Sequence, residues 1–556
     1  MEEKKKISIS LTTLVFIIII VALLCVALTY LLVSGKLSKI PSKEQQDTQQ
    51  VAQTKIIKVN NDTITENPIK SGCVSNFDLS FLKMENKNEN VIYSPLSIKY
   101  ALKMLEEGSN GETKSQISSL IGKYNLTTYT SNANMALANS LFVRDTYRSN
   151  IKDSYINTLK TKYNAEVKYD SFKSVDNINS WINNNTLGLI DNMLDDIDED
   201  QTFYLINALG IDMDWNEVFL VKDGHFKSWN YPHEKYEDVT GPMNVSSRVF
   251  NNSKTVSGMS FKADVNNYDI INELGEDNIR KIVGDEYRKW AKSLAPERWP
   301  YEDDLSDENI EKHLKIFLDG GQNEYGYIEE GYIAELSKNY GQVNSTTDFS
   351  AYVDNNVKVF AKDLKKYNGT TLQYIGIMPI DEDLSTFVKN IDETKINQII
   401  NSLKELKSEN YKEGVITRFV GYVPKFNFEY DLDLKNSLKA LGIKDVFDSS
   451  KADLSNITDI KGTYIDSALH KANIEFTQDG IKASAATIIG GLGAGGDYFD
   501  YIFDVPIEEI DLTFDKPYMF IIRDKKTGET WFTGTVYNPL DWNEEPDRLK
   551  GENGKA

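Results

Sequence analysis

The sequence predicts an α+β fold: one large folded domain behind a single N-terminal transmembrane helix. Apolar residues at helical spacing crowd the first third of the chain, as in FDLSFLKM and IKYALKMLEEG. Short alternating or wholly apolar runs crowd the last third, as in ITRFVGYVPKFNFEY, HKANIEFTQ, YMFIIRD and TWFTGTVYN. No regular strand-helix-strand rhythm links the two, which argues against a doubly wound parallel sheet.

In chain order, a basic tip, residues 1–6, comes first and contains Lys4, Lys5 and Lys6. Residues 7–35 carry no charge, and Leu14 to Val33 is nearly all aliphatic. At about 1.5 Å per residue this run can cross a hydrocarbon core of roughly 30 Å. Lysines before it hold that end in the cytoplasm, so the expected product is a single-pass cell-membrane protein with its domain outside; secretion after signal cleavage is the alternative. Residues 36–70 are polar and poor in aromatics and read as a linker. The folded domain is expected over 71–545, with a short tail at 546–556.

Inside the domain, Ser94-Pro95-Leu96-Ser97 suits a helix start, since a hydroxyl can cap and proline fits the first turn. YMFIIRDKKTGETWFTGTVYN reads as a hairpin turning through Lys525 to Gly528, with Gly528 free to take positive φ. Residues from about 275 to 345 differ in texture, with two helical patterns and the tyrosine-rich QNEYGYIEEGYIAELSKNY, and read as an insertion. Trp290, Trp299 and its tyrosines would form a small core of their own, or else a partner-binding surface or lid.

Composition excludes several functions. The 62 Lys and Arg against 84 Asp and Glu leave a net charge of −22, which repels phosphates, so no nucleic-acid partner is expected. Cys25 lies in the apolar run and Cys73 beyond it, and with no other cysteine there is neither a disulfide framework nor a Cys/His zinc site. The four histidines, at 225, 233, 313 and 470, accompany no GxSxG or HExxH pattern, so a hydrolase is disfavoured. WPYEDDLSDENIEKHL lacks the spacing and central glycine of a calcium loop, and no cofactor or metal is expected.

Several separated blocks stand in one familiar order. They are NVIYSPLSIKYALKMLEEGSNGETKSQI, ALANSLFVRD, INSWINNNTLGLIDNML, FYLINALGIDMDW, LQYIGIMPID, YVPKFNFEYDLDLKNSLKALGIKDVFD and ADLSNI, then ALHKANIEFTQDGIKASAAT and DLTFDKPYMFIIRDKKTGETWFTGTVYNP. Together the chain resembles the serpins over roughly residues 75 to 540, outside the insertion. The resemblance implies helices packed on large mixed and antiparallel sheets, with an exposed reactive-centre loop at about 480–510. It implies suicide-type inhibition of serine or cysteine proteases, in which the cleaved loop inserts into the central sheet and traps the acyl-enzyme; the alternative is a non-inhibitory serpin acting as a binding or structural surface protein. It also implies a polar shutter at Ser94, Ser97, Asn207 and His470, with Trp215 where the loop would begin to enter. Two departures stand out: ALGIDMD precedes Trp215 where the family has an aromatic and Lys-Gly, and Gln478 replaces a glutamate two residues before the hinge Gly480.

The loop suits insertion. From Gly480, alternation places Ile481, Ala483, Ala485, Thr487 and Ile489 on one face, with Lys482, Ser484, Ala486 and Ile488 on the other. No proline precedes Pro506 to delete a ladder donor. Glycines at 490, 491, 493, 495 and 496 raise the entropy lost on ordering, so the first half should insert more readily. Counting an insert of family length forward from Gly480 reaches Ala494-Gly495, whereas counting back from Phe514 reaches Ile502-Phe503. The candidate scissile region is Ala494, Gly495, Asp497, Tyr498 and Phe499. Alanine suits elastase-like or subtilisin-like targets and the aromatics suit chymotrypsin-like ones, while a trypsin-like target wants a cation that none of them supplies. A monomer is expected.

Overall fold

The structure is a computed structural model that describes residues 72–216, 245–322, 326–341, 343–344, 349–466, 468–481, 499–501 and 503–545. The predicted anchor, linker and C-terminal tail lie outside the described residues. Among those described, no helix is long and apolar enough to cross a membrane.

Helix α1 (Pro95–Gly108) starts as its sequence dictates: Pro95 occupies the first turn, and the Ser94 hydroxyl accepts from the Ser97 N–H at 3.1 Å. It buries Leu96, Ile98, Leu102 and Met104 in the main core. The predicted hairpin is also present. Tyr518–Asp524 pairs antiparallel with Thr530–Val536, and Gly528 in the turn has φ 72°, close against the Gly72 carbonyl.

That hairpin lies within an antiparallel sheet of seven strands, of which Leu372–Pro379 and Thr530–Val536 are buried along their whole length. A five-stranded sheet holds Lys254–Asn266 antiparallel to Ile416–Pro424, which runs parallel to Ile507–Thr513.

Seven further strands form a three-stranded and a four-stranded sheet. Strands β1 (Met135–Arg144), β2 (Glu166–Asp170) and β3 (Phe203–Ile211) make the first, ordered β2-β1-β3. Strands β4 (Met213–Asp214), β5 (Phe426–Asp433), β6 (Leu469–Phe476) and β7 (Gly480–Ile481) make the second, ordered β5-β6-β7-β4. Only Asp212 separates β3 from β4 along the chain, yet no ladder joins β3 to β6. Helix α2 (Asp176–Asn184) covers the outer face of β1 and β3, with Ile178, Trp181 and Ile182 packed on Phe142, Ile206 and Ala208.

Residues 270–336 supply most of a second core. Helices α3 (Glu276–Ser293), α4 (Asp307–Asp319) and α5 (Tyr332–Asn339) bring together Val283, Tyr287, Leu314, Tyr332 and Leu336. Apolar residues spaced three or four apart give each helix one greasy face, and the three faces meet. Trp290 and Trp299 pack with their ring centroids 6.0 Å apart.

Candidate functional site

Strand β6 ends at Phe476, and the chain reverses through Thr477, Gln478 and Asp479. The Thr477 N–H donates to the Gly480 carbonyl at 3.0 Å and its hydroxyl donates to the same oxygen at 3.2 Å. The returning residues form β7, with Ile481 opposite Phe476 on one side and Gly480 and Ile481 opposite Asp214 and Met213 on the other. A Cβ at Gly480 would lie 2.2 Å from the Met213 oxygen and 2.6 Å from the Asp214 Cα, so the close approach of two backbones requires glycine here. Ile481 is 1% exposed and belongs to the main core. These two residues open the predicted hinge. Lys482, Ala483, Ser484, Ala485, Ala486 and Thr487, and the candidate scissile residues Ala494, Gly495, Asp497 and Tyr498, lie outside the described residues.

Trp215 supports this turn from below. Its backbone N–H donates to the Asp479 carbonyl and its indole Nε1 to the Thr477 carbonyl, both at 2.9 Å. The ring is fully buried and stands edge-on to Phe476 at 5.4 Å. An indole that buries its face while its N–H is satisfied makes a rigid wedge. Beyond Ile481 a small cavity continues between Ile211 of β3 and Ile474 of β6. The chain after α2 lies over it, and the Asn473 side chain donates to the Leu189 carbonyl at 3.2 Å.

Farther along the same gap lies a cavity of about 110 Å³ whose lining includes Ser97, Asn207 and His470. His470 Nε2 accepts from the Ser94 N–H at 2.9 Å, which places the ring proton on Nδ1. Burial pushes the imidazole from its usual 6.5 down to about 4, so the ring is neutral. Asn207 donates to Asn139 Oδ1 at 2.8 Å, and Asn139 donates to the Tyr163 carbonyl at 2.8 Å. The Asn207 Oδ1 is buried with no hydrogen-bond partner.

The structure thus places Ser97, Asn207 and His470 around one cavity, with Ser94 joined to His470 through its N–H, in two separately bonded halves. Ser94 and His470 belong to the α1 and β6 side; Asn207 and Asn139 belong to β3 and β1. Sequence reading missed Asn139. The available signal was an asparagine within the mostly apolar ALANSLFV, where a buried amide needs a hydrogen-bond partner.

A second missed cluster braces α1. Lys99, 1% exposed, meets Asp78 at 2.7 Å and Glu529 at 2.8 Å, and the Tyr124 hydroxyl donates to Glu529 at 2.7 Å. Among the described residues no group of His, Cys, Asp and Glu could hold a metal ion.

A family model described as Serpin (serine protease inhibitor) matches residues 75–294 and 343–539. Neuroserpin of Homo sapiens is 23% identical over 485 residues, covering 83% of this chain and 89% of the relative. Leukocyte elastase inhibitor A of Rattus norvegicus is 33% identical over 175 residues, 31% of this chain and 42% of the relative. Among solved structures, the thermophilic serpin Tengpin in its native state superposes with a TM-score of 0.53 at 20% identity, covering 85% of this chain and 97% of Tengpin. Thyroxine-binding globulin complexed with thyroxine gives 0.51 at 18% identity, covering 84% and 98%.

Proposed function

Because this chain belongs to the serpin family, we propose that it is a suicide-type inhibitor of serine or cysteine proteases. The loop after Gly480 is cleaved, its first part enters the central sheet, and the acyl-enzyme is trapped. One observation carries this reading: β7 is already a two-residue strand wedged between β4 and β6, directly above the stretch where β3 and β6 leave each other unpaired. Each residue added to β7 would exchange water for ladder hydrogen bonds on both sides, each worth about 0.5–1.5 kcal/mol net.

The register supports the trap further. Ile481 faces Phe476 and Met213. Continued six residues on in the same ladder, the inserted strand would bring Thr487 between His470 and Asn207, on the core-facing side, since facing residues in a ladder share a face. It is the one polar residue among the inward positions Ile481, Ala483, Ala485, Thr487 and Ile489. Its hydroxyl there can donate to the Asn207 Oδ1 that has no partner before insertion. The two halves of the polar cluster are then bridged by the inserted strand.

Ala494, together with the likeness to leukocyte elastase inhibitors, supports an elastase-like or subtilisin-like target over a trypsin-like one, with chymotrypsin-like enzymes next. The uncharged run at 7–35 supports attachment to the cell membrane with the inhibitory domain outside. The unmatched stretch 295–342 supports an insertion inside the expected 275–345, whose first part, 275–294, falls within the family match. The second reading is a non-inhibitory binding protein, favoured by the deep seat of Ile481 and by the bulk of that side chain at the hinge. Incubating the protein with elastase-like, subtilisin-like and chymotrypsin-like enzymes and running a denaturing gel separates the two. A covalent complex that survives SDS is the expected result; clean cleavage without one gives the binding role.

A further inference from the structure

The arm of chain that leaves the loop does not hang free. The Phe499 ring packs edge-on against Tyr287 at 4.9 Å, with Trp290 at 5.4 Å and Phe317 at 5.3 Å around it. Phe503 and Val505, each 6% exposed, are members of the second core. The Tyr332 hydroxyl donates to the Tyr501 carbonyl at 2.7 Å, and the Tyr332 ring stacks on Phe317 at 5.2 Å. Past this grip the Ile416 N–H donates to the Pro506 carbonyl at 2.9 Å and the chain becomes the strand Ile507–Thr513, parallel to Ile416–Pro424. All three helices α3, α4 and α5 contribute a ring to the cage, through Tyr287 and Trp290, Phe317, and Tyr332.

We propose that α3, α4 and α5 form a clamp that withholds the segment Phe499–Val505 from proteases and so confines cleavage to the residues N-terminal to Phe499. A protease reads its substrate as an extended strand over several residues, with one side chain delivered into its pocket. Phe499, Tyr501 and Phe503 are the side chains a chymotrypsin-like pocket would take, and each is tied to the second core by its ring or its backbone. Cutting beside any of them requires the arm to undock first. This rests on the reading of residues after Gly480 as the cleaved loop, and it chooses between the two counts of that loop: Ala494-Gly495 lies outside the clamp and Ile502-Phe503 within its span. Among the described residues the grip begins at Phe499, so the C-terminal fragment should stay docked after cleavage.

The test is timed digestion of the full chain with chymotrypsin under native conditions, with cut positions read by mass spectrometry, beside Trp290→Ala and Tyr332→Phe. In the unaltered protein, cuts after Phe499, Tyr501 and Phe503 should be at least about tenfold slower than in Trp290→Ala, because cleavage there follows local opening. Tyr332→Phe deletes one hydrogen bond and keeps the ring, so it should raise cutting after Tyr501 severalfold even if Trp290→Ala unfolds the helices. Equal rates in the unaltered protein and Tyr332→Phe overturn the clamp. The readout is separate from trapping: a protected arm without an SDS-stable complex keeps the clamp and removes the inhibitor, and an unprotected arm with a complex does the reverse.

Discussion

The backbone N–H of Ser94 donates to Nε2 of His470 across 2.9 Å, joining the start of α1 to β6 through a neutral imidazole. β6 can then separate from β3 without stripping this pair of its hydrogen bond, because Asn207 donates to Asn139 on the β3 side while its own Oδ1 stays unpartnered.

The first prediction concerns pH. Burial lowers the folded-state value of His470 from 6.5 to about 4, so between those values the unfolded chain binds the extra proton. Its contribution is fully present above pH 6.5 and is lost as pH falls toward 4, by about 3 kcal/mol at most. Melting temperature measured from pH 7 to 4 should fall more steeply for the unaltered protein than for His470→Ala, which should also yield less trapped complex. Parallel pH profiles, with the yield unchanged, would argue against a gate.

Gly480→Ala should unseat the hinge. Its methyl group would meet the backbone of Met213 and Asp214, which cannot rotate away. Overpacking of this kind costs about 1–3 kcal/mol, to be read by urea denaturation together with a drop in complex yield. Wild-type values for both would mean that β4 and β7 do not lie this close.

Thr487→Val should act on one state only. The intact protein keeps its stability, whereas the nicked form loses about 1–3 kcal/mol, because Asn207 Oδ1 stays without a donor beside an apolar side chain. An unchanged difference between the two melting temperatures would mean that insertion stops short of His470 or runs in another register.

Lys99→Met should destabilise the intact domain by about 3–5 kcal/mol, since Asp78 and Glu529 would remain buried without their shared cation. Chemical denaturation measures it, and a change below about 1 kcal/mol would show that water replaces the ammonium.

What the sequence made legible was local chemistry. Ser94 and Pro95 fix a helix start within one turn and Gly528 fixes a hairpin, because each role depends on neighbours a few residues away. What it hid was pairing at a distance. Lys99 finds Glu529 across 430 residues, and a lysine on a helix reads as solvated until its partners are known. Asn139 reads as an irregular strand residue until Asn207 is placed beside it. Phe499 reads as bait because an aromatic suits a chymotrypsin-like pocket, and only the folded arrangement brings Tyr287 to its ring. The reason glycine is needed at 480 was likewise invisible, since the atom it must avoid belongs to Met213.

The most direct measurement is a thermal melt of the protein before and after a single nick in the loop. If the intact sheet is held short of its best-paired state, the nicked protein melts well above the intact one, as residues after Ile481 complete the ladder between β3 and β6. Coincident melting curves would contradict this.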